Sequence, residues 1–218
     1  MESYSKIVNF ESIPANPNPN FVLARLGFRK NLTQIDSNVQ KKMDQGFKDG
    51  ILYCRSKGAA GRFLITTRQE NSVIIETGLS FQSKSLTRFL ANCDEMLLLA
   101  ATVGKEIVER IFFEIDQGDA AYGAILDAVA SETADAGLDW IMDFINKILI
   151  REGKKITKHR YSPGYGDLDL SYQKAIFDLL DLGKLELGLT EKQMLIPEKS
   201  VIAIAGIERI EADESDDI

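Results

Sequence analysis

The chain has only two cysteines, Cys54 and Cys93, and a single histidine, His159, in 218 residues. With no CxxC pair and no His/Cys cluster, neither a disulfide framework nor an all-protein zinc site is expected, and a reduced compartment is the default. Long apolar runs are missing too. The most apolar stretch, Met96 to Val103, falls far short of the roughly 20 residues a membrane-spanning helix needs. Met1 to Phe10 shows neither the basic nor the apolar region of a secretory leader, so the expectation is a cytoplasmic protein with no membrane partner. Positive charge is outnumbered, with 26 Lys and Arg against 33 Asp and Glu, a formal net charge of −7. Six acids between Glu208 and Asp217 face Arg209 alone, which leaves the rest of the chain near −2. Such a balance builds no sustained phosphate-neutralising surface, which argues against nucleic acid as a partner. The GxGxxG fingerprint is also absent, against a Rossmann-type methyltransferase.

Hydrophobic residues make up 44% of the chain and charged ones 27%, the balance of an ordinary folded domain with a sizeable core. Residues 1–20, with three prolines between Pro14 and Pro19, read as an extended arm laid across another surface. Phe21 to Phe28 is too short to assign. Asp36 is an N-cap for a helix to about Cys54, with Val39, Met43 and Phe47 at four-residue steps on one face. Ser56 to Arg62 is small and reads as a flexible linker; a phosphate cradle is the alternative, although it lacks the GK[ST] ending and precedes a strand. Arg62 to Thr66 and Val73 to Glu76 are β-branched runs that form a strand pair. Ser85 then caps a short helix with Leu86, Phe89 and Leu90 inward.

Met96 to Val103 predicts a buried strand. Lys105 to Asp116 predicts an amphipathic helix with Ile107, Val108, Ile111, Phe112 and Ile115 on one side. Asp119 caps the longest helix, whose apolar stripe runs from Tyr122, Ile125, Leu126 and Val129 to Trp140, Phe144 and Ile148. Glu132, Asp135, Asp139 and Asp143 share one flank of it, where acids ordinarily form a solvated edge. Residues 151–160 reverse the sign, with five cations against Glu152. Asp169 or Ser171 caps a later helix closed by Gly183, with Tyr172, Ile176, Leu179 and Leu180 inward, and Leu189 to Pro197 is a connector. Ser200 to Ile207 is too apolar to be one-sided and belongs centrally in the sheet. An acidic disordered tail, 208–218, follows a single domain spanning 21–207. Helices and strands interleave without regular βα alternation, so the fold class is α+β.

The most informative stretch is Arg160-Tyr161-Ser162-Pro163-Gly164-Tyr165-Gly166-Asp167. Pro163 fixes its φ, and the glycines permit backbone approaches that a Cβ would forbid, so the run is a shaped loop. Arg160 offers a planar fork for a carboxylate; Tyr161 or Tyr165 offers a face to a base or a cation. The alternative is a tight turn whose tyrosines pack on the core. His159 beside it has no partner in sequence that would make it a general base, and no triad-like set of residues is visible.

This loop resembles the Arg-x-x-x-Gly-Tyr signature of the activation (reactivation) domain of cobalamin-dependent methionine synthase. Leu189-Thr190-Glu191, Met194, Pro197 and Ser200-Val201 follow in the order of that family's next tract, with Lys192 where many members carry serine. Ala101-Thr102-Val103-Gly104 and the segment from Asp119 to Asp135 resemble the family's small free-standing members. The resemblance implies a bent, largely antiparallel sheet flanked by helices, and an accessory protein that binds S-adenosylmethionine to support reductive methylation of cobalamin. It implies Arg160 on the ligand's carboxylate, Tyr161, Ser162, Pro163 and Gly164 along the adenosine end, and Tyr165 on the methyl-donor side. Glu132 and Asp135 are implied for the amino or ribose groups. No DxHxxG motif is present, so cobalamin would arrive on a partner, a cobalamin-binding methionine synthase or corrinoid protein, with an electron donor such as flavodoxin. The alternative is a corrinoid-protein-binding module of the same fold that does not take S-adenosylmethionine.

Overall fold

The computed structural model describes residues 7–29, 33 and 36–210. In chain order it contains β1 (Ile7–Phe10), α1 (Pro19–Arg25), α2 (Ser37–Tyr53), β2 (Lys57–Arg68), β3 (Ser72–Ile75), β4 (Ser80–Gln82), α3 (Lys84–Phe89) and β5 (Glu95–Thr102). There follow α4 (Glu106–Asp116), α5 (Ala120–Leu149), β6 (Lys154–Ile156), α6 (Tyr172–Leu179), β7 (Gly188–Leu189), β8 (Leu195–Ile196) and β9 (Ser200–Arg209). The fold is α+β. A curled antiparallel sheet runs in the order β4-β3-β2-β5-β9-β6, and β1 lies against the first half of β2 on the edge whose second half takes β3.

All eight residues of β5 are buried because both faces of the sheet are covered. The two-residue period of a strand divides them. Leu97, Leu99 and Ala101 meet Leu138, Ile141, Ile145 and Leu149 of α5, while Met96, Leu98 and Ala100 meet Leu86, Leu90, Ile176 and Leu180 on the other face. β9 divides in the same way, with Ala203 and Ala205 toward α5 and Ile202 and Ile204 away from it. As expected from its apolar run, β9 lies inside the sheet, between β5 and β6. It extends through Glu208 and Arg209, which the sequence reading placed in the tail; residues 211–218 lie outside the described residues.

The segment read as a flexible linker is instead the buried first half of β2, paired with β1 on one edge and β5 on the other. Its residues are small because the two faces leave no room. A Cβ on Gly58 would stand 2.6 Å from the Ala100 carbonyl oxygen and 2.6 Å from Ile141 Cδ1. The amides serve the sheet ladder, so the phosphate cradle falls away as well.

α2 starts where Asp36 predicts, its carboxylate accepting from the amides of Asn38 and Val39 at 2.8 and 2.9 Å. Met43 is buried on α5, but Val39 faces solvent. α3 is capped by Ser83, whose hydroxyl oxygen accepts from Leu86 N at 2.9 Å, and not by Ser85. In α4, Ile107 and Ile111 turn inward while Phe112 and Ile115 are exposed, so the expected stripe is narrower than its sequence spacing. Asp119 caps α5 through the Tyr122 amide at 3.0 Å. From the extended arm, Phe10 packs edge-on against Trp140 and Phe144, at 5.5 and 5.3 Å between ring centroids.

Helix α1 occupies part of the stretch left unassigned. Asn18 accepts from the Asn20 amide at 2.9 Å and Pro19 opens the helix, the usual chemistry of a helix start. The helix buries Val22 against Ala128 and Val129 of α5, which carries Arg25 to the acidic flank of that helix.

Candidate functional site

The loop 160–167 is fastened at both ends before any ligand is considered. At its start, Tyr161 N donates to the Ile204 carbonyl at 2.8 Å and Ile204 N returns the bond at 2.7 Å, continuing the edge that β6 begins on β9. At its end, the Asp167 carboxylate accepts from the Ser83 hydroxyl at 2.6 Å, from Lys84 N at 2.7 Å and from Ser85 N at 3.3 Å. The Ser83 hydroxyl, helped by those amides, draws the Asp167 pKa down to about 2. Between the anchors, Tyr165 N donates to Ser162 O at 3.2 Å and Gly164 N to Leu168 O at 2.8 Å. Gly164 has φ +90°, and any Cβ on Gly166 (φ +56°) would collide with the Tyr161 hydroxyl. That hydroxyl donates to the Tyr165 carbonyl at 3.2 Å. The loop is therefore preshaped, as its composition predicts.

Beyond Ile204 the same edge of β9 opens. Among the described residues, Ser200, Val201 and Ile202 pair only with β5. There the loop, α5 and the β7–β8 hairpin enclose a groove of about 730 Å³. Asp135 comes from α5, Arg160 to Tyr165 from the loop, Leu170 and Gln173 from the start of α6, Met194 from the hairpin and Ser200 to Ile202 from β9. The Leu-Thr-Glu tract acts through the hairpin: the Thr190 hydroxyl oxygen accepts from Met194 N at 3.0 Å, closing the turn that puts Met194 at the groove. Tyr165 is 70% exposed at the rim, whereas Tyr161 is half-buried.

Seven of the eight residues singled out in the sequence thus line one groove; Glu132 does not. Its carboxylate turns toward α1 and accepts from Arg25 Nε at 2.8 Å. Arg160 is not an open fork either. Its Nη2 donates to Asp135 Oδ1 at 3.2 Å and its Nη1 to Asp139, a member of the acidic flank to which the sequence reading gave no ligand role. Cations from two segments meet that flank, Arg25 on Glu132 and Arg160 on Asp135 and Asp139, while Lys199 binds nearer the start of α5, reaching Asp127 at 2.7 Å and the Ser131 hydroxyl at 2.9 Å. His159 is exposed and contributes a backbone carbonyl to Thr157. Sequence reasoning had no hold on Arg25, because its relation to the site exists only through the packing of α1.

A guanidinium beside a carboxylate, with an exposed phenol at the rim, is a charge pair matched to the two ends of an α-amino acid and a face for an aromatic ring. No group of three His, Cys, Asp or Glu is placed to hold a metal ion among the described residues. None of their helices is long and apolar enough to cross a membrane.

No protein-family model matches the chain, and no curated protein does. Among solved structures it is similar to one described as the crystal structure of the MetH reactivation domain bound to AdoHcy. The two superpose with a TM-score of 0.66 over 92% of this chain and 78% of that one, at 17% identity. The chain has the fold of a methionine synthase reactivation domain.

Proposed function

We propose that the groove binds S-adenosylmethionine and that the protein presents it to a cobalamin carried by a partner, in the reactivation of a methionine synthase or related corrinoid methyltransferase. One observation carries this reading: the motif residues Arg160 to Tyr165 meet Asp135 in a single groove, on a fold shared with a domain crystallised with AdoHcy. The volume lies within the roughly 300–1,000 Å³ of small-molecule sites. Asp135 suits the ligand's ammonium group, Arg160 its carboxylate and Tyr165 the adenosine or sulfonium end. The sulfonium supplies the methyl group and the partner's cobalamin the acceptor, so this chain's residues bind, orient and shield, and no base is required of them.

The bonds from Arg160 to Asp135 and Asp139 favour a second reading, a corrinoid-protein-binding module in which the guanidinium is structural. Calorimetric titration separates the two. The first reading predicts saturable heat with S-adenosylmethionine that Arg160→Ala removes while the circular dichroism spectrum stays native. Absence of heat at millimolar ligand with wild-type protein contradicts it.

A further inference from the structure

We infer that Arg25 is a positioning residue for the groove, one that fixes how Asp135 presents its carboxylate. The inference rests on the groove's being the site of an amino-acid-bearing ligand. Arg25 stands in the last turn of α1, and burial of Val22 against Ala128 and Val129 sets its place against α5. Its Nη2 lies 2.8 Å from Glu132 Oε1 and 3.8 Å from Asp135 Oδ2. The other oxygen of Asp135, Oδ1, accepts from Arg160 at 3.2 Å. Asp135 thus faces two guanidiniums, hydrogen-bonded to Arg160 through Oδ1 and within ion-pair distance of Arg25 through Oδ2, so that each guanidinium draws on a different oxygen.

Glu132 gives the arrangement its weight. Its side chain is only 13% exposed, so without Arg25 its charge would be left without its guanidinium one turn from Asp135. Asp135, released on the Oδ2 side, would rotate and offer both oxygens to Arg160, since a guanidinium and a carboxylate prefer a two-bond fork. Arg160 would then be closed to a ligand carboxylate, and the ammonium site would lose its orientation. Lysine at 25 keeps the charge but is a point donor that cannot grip two carboxylates.

Titration with S-adenosylhomocysteine and S-adenosylmethionine tests this. In the wild-type background, R25Q weakens binding about threefold to tenfold and R25K recovers part of the loss. In a D135N background the same R25Q change alters the dissociation constant by less than about 1.5-fold, because the pathway through Asp135 is already broken. A merely structural Arg25 would lower the melting temperature equally in both backgrounds and leave the dissociation constants alone; that result overturns the inference. So does an R25Q effect that persists undiminished in D135N. Should R25Q fail to fold, R25K alone decides, and wild-type affinity in R25K contradicts the proposal. Wild-type protein that binds neither compound removes the reading of the groove and this inference with it, whereas binding that R25Q and R25K leave untouched removes this inference alone.

Discussion

At the scale of single residues, the groove is shaped by groups whose function is to hold other groups still. Asp167 is the clearest. Hydrogen bonds from the Ser83 hydroxyl and the first amides of α3 stabilise its ionised form and keep its pKa near 2. A carboxylate depressed below its unfolded value of about 3.9 contributes stability at higher pH that fades as pH falls through the folded pKa. D167N should therefore melt below wild type at pH 7, with the gap closing between about pH 4 and pH 2 in a series of thermal melts. A gap that stays constant over that range would mean that the charge of Asp167 is not what fastens the loop. Of this layer, the sequence displayed Arg160 and the Pro/Gly/Tyr run, because those residue types restrict the backbone wherever they occur. It concealed Arg25 and the grip of Asp139, since an ion pair between residues far apart is decided by how helices pack.

At the scale of elements, periodicity located what it physically governs. β5 announces itself as an unbroken apolar run because both faces are covered, and α2 and α5 carry acidic caps that bond as their positions imply. β2 departs from the linker its composition suggests for an equally physical reason. Its Gly58-Ala59-Ala60-Gly61 run resembles a linker in composition, yet it is small because sheet and helix press from both sides. Gly58→Ala should consequently destabilise the protein by about 1–3 kcal/mol in urea unfolding, the cost of forcing a methyl into a packed interior. A flexible linker would instead gain from the same change through reduced chain entropy, so an increase in stability would contradict the assignment. The short strands β4, β6, β7 and β8 had no periodicity to show, being two or three residues each.

At the scale of the whole molecule, one architectural fact places the site: the edge strand β6 stops early, leaving Ser200 to Ile202 of β9 to floor a groove between a preshaped loop and the acidic flank of α5. The α+β pattern with two buried strands was legible in the residues themselves and the bent antiparallel sheet through the family resemblance; the early end of β6 that opens the groove was not, because it depends on which strands end where. The proposed role also makes a claim about the molecule as a unit. Without a corrinoid protein, the purified chain should form no S-adenosylhomocysteine from S-adenosylmethionine, and product should be seen by chromatography only when a cobalamin-bearing partner and a reductant are added. Turnover by the chain alone would make it an enzyme with an acceptor pocket of its own.

The central claim is that Arg160 and its loop cradle an adenosylated amino acid. The most direct measurement is a crystal structure of the protein grown with S-adenosylhomocysteine. The account predicts the ligand between Asp135 and Tyr165, with the Arg160 guanidinium turned from Asp139 onto the ligand's carboxylate. A groove without ligand at saturating concentration, and Arg160 still held by both acids, would contradict it.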